Sequence, residues 1–200
     1  MTKYRLEAFS DGVFAIVITL LVLNINIPDV DYQHLPEALL QLVPKLISYV
    51  LSFALIGLYW LGHHYYFDKI KQIDGSFLWM NISFLLFISI LPFPTMLLGK
   101  FPYGELSLTI YGVNLLAVNL ISFRMVHYVH THKHLANEKF DLIFYKQNVP
   151  MFLIINVAYV FAIGFAFIYP KLSYSIFLLQ IVLGVKLYIK RINKETRKEN

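Results

Sequence analysis

The sequence predicts an all-α membrane protein with six transmembrane helices and both termini cytoplasmic. Three observations carry that expectation: the balance of residue types, the lengths of the uncharged stretches, and the side on which lysine and arginine gather. Of 200 residues, 58% are hydrophobic, 16% aromatic and only 14% charged, with a mean hydropathy of +0.61. Soluble domains run nearer to about 45–50% apolar and about 25% charged, so too few charges remain to coat a soluble globule of this size. A chain with 17 Phe and 14 Tyr is far too aromatic for disorder. The absence of cysteine removes disulfides, thiolate zinc sites, iron–sulfur clusters and cysteine nucleophiles together.

Six stretches contain no Asp, Glu, Lys or Arg: residues 12–28, 46–67, 75–99, 106–123, 147–170 and 172–185. Crossing roughly 30 Å of hydrocarbon takes about 20 mostly apolar residues in a helix. The first stretch gains length from residues 8–11, and the last from a snorkelling Lys186 and the apolar residues 187–189. The expected helices are 6–27, 44–67, 75–98, 105–127, 147–169 and 172–190, in one domain over residues 1–200. Pro28, Asp29, Asp31 and Pro36 punctuate the first connection, with Pro44 in the first turn of the second helix. Pro92 and Pro94 predict a kink or an early end near the membrane face. Gly99, Pro102 and Gly104 separate helices three and four, and Pro170 and Lys171 make five and six an antiparallel hairpin.

Six crossings place both termini on one side, and that side collects fourteen of the 17 basic residues. Only Lys45, Lys100 and Lys171 fall opposite. The positive-inside rule makes the termini cytoplasmic. Glu7 and Asp11 intrude on the charge pattern of a secretory leader, and residues 23–28 offer no small-residue cleavage site, so the first helix is expected to stay. The basic tail from Lys186 to Lys198 is expected to face lipid headgroups rather than nucleic acid.

Polar groups within spans are costly and hence the natural candidates for function. At 100° per residue, Arg5 and Asp11 sit on nearly opposite flanks of the first helix, so each needs water or a partner from another helix. Ile16, Leu20 and Leu23 form a narrow apolar stripe, which by itself is equally consistent with lipid contact or core packing. Trp60 and His64 share a face of helix two, and His63 beside them is placed to bond across helices. On a continuing fourth helix, His127, His130 and His134 would share a face, but without a carboxylate or thiolate they make only a weak metal candidate. Asn81, Asn114, Asn119, Asn156 and Gln180 are amides of the kind that join helices. No phosphate loop, nucleophile elbow, zinc-protease motif, carbonyl filter or voltage-sensing arginine array occurs.

Arg5, Phe9, Ser10 and Asp11, in the spacing Arg-x-x-x-Phe-Ser-Asp at the start of the first of six helices, resemble the signature of the transmembrane protein 175 family. The likeness continues through Gly12-Val13-Phe14-Ala15-Ile16, through Thr19-Leu20-Leu21-Val22-Leu23, and to Trp60-x-x-x-His64 and an Asn81-to-Pro92 stretch ending in Pro-Phe-Pro. The resemblance implies a potassium-permeable leak channel, built in bacteria as a homotetramer of six-helix subunits and found duplicated in lysosomes and endosomes. It implies that the first helices surround the pore with no re-entrant filter. It puts the narrowest ring at Ile16, with Leu20 and Leu23 further out and Thr19 nearby. Arg5, Phe9, Ser10, Asp11, Trp60 and His64 match the network that ties the first helix to its neighbours. The implied partners are potassium and other monovalent cations, the lipid bilayer of a bacterial plasma membrane and further copies of the chain, with no nucleic acid and no cofactor. The competing expectations are a secondary transporter, which would want broken helices and buried charges at the midplane, and a membrane enzyme using the histidines with Asp68 or Asp74.

Overall fold

The computed structural model describes residues 2–26, 28–140 and 142–199, with side chains described at all of these except 24, 143 and 190–199. Among the described residues there are eight α-helices: α1 (Lys3–Leu20), α2 (Leu35–Gln41), α3 (Val43–Phe67), α4 (Gly75–Ile90), α5 (Pro92–Lys100), α6 (Glu105–Thr131), α7 (Leu142–Ala166) and α8 (Pro170–Glu199). There is no strand among the described residues. Among the described residues, six spans are long and apolar enough to cross a membrane: Lys3–Leu23, Val43–Phe67, Gly75–Lys100, Glu105–Thr131, Phe144–Ala166 and Pro170–Ile189.

The spans depart from the sequence expectation mainly at their ends. α1 tightens into a 3-10 turn over Leu21–Asn24, so the first span stops short of residue 27. The proline pair kinks the third span without ending it: α4 stops at Ile90, Leu91 sits at the break, and α5 continues to Lys100. α7 starts five residues earlier than expected, bringing exposed Lys146 into its first turns, where a long side chain reaches the headgroups. It also ends three residues early, at Ala166, so the hairpin turn is formed by residues 167–169 and Pro170 opens α8. The short helix α2 was not foreseen, because seven residues span too few turns for a helical periodicity to be read.

In a bilayer, helices gain little from apolar burial against each other, and close packing with interhelical hydrogen bonds takes over. α1 packs on α3 and α4, α3 on α5 and α8, and α6 on α4, α5 and α7. Gly112 of α6 lets α7 and α8 approach, since a Cβ there would meet Ile163 at 2.8 Å and Phe177 at 3.2 Å. Tyr111 of α6 shares hydrogen with Ser52 of α3 at 3.0 Å, and Thr95 of α5 donates to Ser52 at 2.7 Å. Asn119 of α6 donates to Asn156 of α7 at 2.9 Å, and Asn114 donates to the Phe87 carbonyl of α4 at 3.2 Å. Gln180 makes no such bond among the described residues, although both polar atoms of its side chain are buried.

On the side of the termini, the connection after α3 is clasped to the connection after α6. The Lys71 amide donates to the Leu135 carbonyl at 2.8 Å, and the Asn137 amide to the Lys69 carbonyl at 3.0 Å. Asp68 accepts from Lys69 at 3.0 Å and Lys139 at 3.3 Å. Burial would raise the Asp68 carboxyl, but the hydrogen bonds and charges of the two lysines outweigh it and hold the group below its ordinary range. Asp74 caps α4 by accepting from the Phe77 amide at 2.8 Å, and its other oxygen accepts from Tyr128 of α6 at 2.7 Å. Here too burial pulls upward and is outweighed, by those two bonds and the nearby His132 and His134, so the Asp74 carboxyl is also lowered.

Candidate pore site

α1 has one packed face and one uncovered face. Leu6, Ser10, Phe14 and Val17, continuing to Leu21, are buried against α3 and α4. On the opposite face, Ile16 is 60% exposed, Leu20 41% and Leu23 67%. Thr19 borders the same face and is exposed. Its hydroxyl donates to the carbonyls of Ile16 at 2.8 Å and Ala15 at 3.1 Å, so its remaining lone-pair capacity points away from the helix.

The buried face is held by a polar thread. Ser10 donates to the Leu6 carbonyl at 2.8 Å and accepts from the Asn81 amide at 3.0 Å. The Asn81 oxygen faces His63 Nε2 at 2.8 Å. An amide oxygen only accepts, so Nε2 carries the proton and the imidazole is the Nε2–H tautomer. His63 Nδ1 is then a buried acceptor with no partner. The ring lies between Phe67, with centroids 4.1 Å apart, and Phe84, at 5.5 Å, with the edge of Phe14 at 5.7 Å. One side chain each from α1, α3 and α4 thus meets in a buried aromatic setting.

A second anchor joins α1 to α3 directly. Trp60 of α3 donates from its indole nitrogen to Asp11 at 2.9 Å. His64, one turn on and stacked on Trp60, faces Glu7 at 3.7 Å rather than Asp11. Of the signature positions, then, Ser10, Asp11, Trp60 and His64 are each in contact across helices. Arg5 and Phe9 are not brought into this network within the chain. Both are exposed, and Arg5 makes no hydrogen bond or ion pair among the described residues. At 100° per residue both fall on the uncovered face, in line with Ile16.

Asn81 and Glu7 are the contributors that pattern alone did not assign to this site. The signal for Asn81 was present, since an amide in mid-span must find partners. The one for Glu7 was not, because a carboxylate in the first turns of a membrane helix also suits bulk water.

The histidines of α6 are not arranged for metal binding. α6 ends at Thr131, whose hydroxyl bonds back to the Tyr128 carbonyl at 2.9 Å, and the chain turns before His134. His127 faces the Tyr145 hydroxyl at 2.7 Å, and His130 stacks on the Tyr145 ring at 3.7 Å. Among the described residues no group of three or more His, Asp or Glu is gathered to hold a metal ion. Asp74, the carboxylate an enzyme reading would recruit, is committed to capping α4 and to Tyr128.

Six spans and an all-helical bundle make the chain a multi-pass membrane protein, and its relatives place it among channels rather than enzymes. The chain belongs to the TMEM175 family. The family described as the endosomal/lysosomal potassium channel TMEM175 matches residues 5–92. A potassium channel of Chryseobacterium sp. (strain P1-3) is 32% identical over 200 residues, covering 100% of both chains. A potassium channel of Chamaesiphon minutus is 36% identical over 143 residues, covering 68% of this chain and 70% of that one. The crystal structure of a lysosomal potassium-selective channel TMEM175 homolog from Chamaesiphon minutus superposes with a TM-score of 0.82 at 28% identity, over 93% of this chain and 97% of that one.

Proposed function

We propose that the chain is the subunit of a homotetrameric, potassium-permeable leak channel whose α1 helices surround the pore, with both termini in the cytoplasm. The observation that carries this reading is the two-faced burial of α1. Apolar side chains at Ile16, Leu20 and Leu23 stay uncovered while the other face is fastened to α3 and α4. Closed symmetry brings the same residue of each copy to one axis, so a face repeated four times becomes a lining.

A ring of isoleucines offers no oxygen to a cation. It sets a diameter and a dewetting barrier, and discrimination then follows the cost of removing water. Potassium holds its water less tightly than sodium and passes more easily, with modest selectivity. Ile16 is β-branched and stiff at χ1, so its ring defines a fixed constriction. Thr19, with its proton donated back to the helix, presents a hydroxyl acceptor to a partly hydrated ion beside that ring. Arg5 and Phe9 continue the lining toward the cytoplasmic mouth or meet the neighbouring subunit. Purified protein in a planar bilayer tests the reading: discrete openings that reverse toward the potassium equilibrium potential support it, and smooth carrier-like flux without unitary steps refutes it.

A further inference from the structure

On the side of the termini, outside the α1 face, the end of α6 and the start of α7 enclose a cavity of about 460 Å³ lined by His130, Lys133, Asn137, Glu138, Phe140 and Leu142. Its lining is mostly apolar ring and aliphatic carbon, with donors and acceptors in the minority. Lys133 makes no ion pair among the described residues, and neither ring nitrogen of His130 makes a hydrogen bond among them. Tyr145 fixes the His130 ring by parallel stacking, with planes 8° apart. The cavity therefore has a positioned imidazole, an uncommitted ammonium and one carboxylate, in a wall that also carries Phe140 and Leu142.

The approach to the cavity is equally specific. Leu106, Val113, Leu120 and His127 repeat every seven residues along α6, and all four are exposed. Leu106, Val113 and Leu120 make an apolar strip along the span, and His127 ends the row one turn before His130 of the cavity. Arg124 near the end of α6 and Lys146 near the start of α7 are also exposed. Lys139 is already engaged by Asp68, which leaves Lys133 as the uncommitted cation of the lining, with Arg124 and Lys146 exposed on the adjoining helices. An apolar strip leading to a cavity with an uncommitted lysine, beside two further exposed cations, is complementary to one acyl chain and a phosphate.

We propose that this cavity binds the headgroup of an anionic phospholipid of the phosphatidylglycerol type from the cytoplasmic leaflet. Lys133 and His130 meet the phosphate, Glu138 accepts from the glycerol hydroxyls, and Leu120 and Val113 carry an acyl chain. Cations near an anionic leaflet each contribute a modest attraction, and the hydroxyl-accepting carboxylate distinguishes a polyol phosphate from a bare phosphate ion. The site rests on the membrane orientation proposed above and not on the assignment of the pore.

Native mass spectrometry of the detergent-purified full-length protein, titrated with phosphatidylglycerol or phosphatidylethanolamine, tests it. Phosphatidylglycerol should be retained preferentially, and Lys133→Gln should lower its retention about fivefold, the effect of one basic residue at an anionic surface. Glu138→Gln should narrow the preference for phosphatidylglycerol over phosphatidic acid, which lacks the glycerol hydroxyls. Lys171→Gln, on the opposite side, should change nothing. Equal retention of phosphatidylethanolamine, inorganic phosphate competing as well as the lipid, or an unaltered Lys133→Gln protein would each overturn the proposal. Unitary potassium current, recorded in parallel, is read separately, so a failed lipid site and a failed pore are told apart.

Discussion

Replacing Asn81 with leucine should loosen the seat of α1 by an amount that can be worked out from its neighbours. The side chain makes two bonds, one at 2.8 Å to His63 Nε2 and one at 3.0 Å to Ser10 Oγ. Ser10 keeps its bond to the Leu6 carbonyl and loses only an incoming donor. His63 loses its sole hydrogen bond and, with Nδ1 already unpaired, becomes wholly unsatisfied in a ring cage of Phe14, Phe67 and Phe84. A buried orphaned donor costs about 1–3 kcal/mol, and interhelical bonds in membranes average about 0.6 kcal/mol with a maximum near 1.7. The expected loss is therefore about 1–2 kcal/mol, or roughly 2–8 °C in the thermal midpoint of a chain this long. The assay is thermal unfolding in detergent followed by size-exclusion chromatography. The decisive arm is Asn81→Leu combined with His63→Phe. Phenylalanine keeps the stacking and removes the orphaned donor, so the pair should lose less than the sum of the singles by about 1 kcal/mol. Additivity within about 0.5 kcal/mol would show that the His63–Asn81 bond does not hold α1.

Asp11→Ala removes the acceptor of the Trp60 indole, and Trp60→Phe removes the donor; both should weaken the assembly to a similar extent, and an Asp11→Ala protein that elutes as an intact tetramer with an unchanged thermal midpoint would contradict this. Ile16→Asn exchanges an apolar ring for amides that can hydrate a passing ion, so conductance should rise and potassium preference fall, read as a shift of the bi-ionic K⁺/Na⁺ reversal potential toward zero. Both clasp carboxylates, Asp68 and Asp74, are lowered in the folded protein. Their contribution is full above the unfolded-state value of about pH 4 and is lost as pH falls through the lowered folded values; hydrogen-exchange protection at the Lys71 and Asn137 amides should fall on acidification below about pH 4 and fall less in Asp74→Asn, whereas protection unchanged across that range would contradict the clasp.

The number and order of the spans were legible because a bilayer imposes one length on every apolar stretch, and because lysine and arginine mark alternate connections. Span ends were less legible where competing local chemistry decides them. α7 could be extended through Lys146 because snorkelling makes a terminal lysine tolerable. The kink at Leu91 followed from Pro92, but whether the chain would continue as a helix depended on packing against α3. At the site, the apolar stripe of α1 was visible as spacing alone, and only the burial of Phe14 and Val17 distinguishes it from the core-facing side. Histidine spacing on α6 pointed to a shared face, yet the backbone turns after Thr131 and separates His134 from it. Periodicity carries no information about where a helix stops.

The central claim is that the Ile16–Leu20–Leu23 face of α1 lines the conduction path. The chain has no cysteine, so a single thiol can be introduced at each position without background and probed with a charged methanethiosulfonate reagent during recording. Current should be blocked rapidly at Leu23→Cys and Leu20→Cys, more slowly at the constricted Ile16→Cys, and left unchanged at Ile18→Cys, where Ile18 packs against the core. Reagent block at Ile18→Cys with none at Leu20→Cys and Leu23→Cys would place the conduction path on a different face and contradict the account.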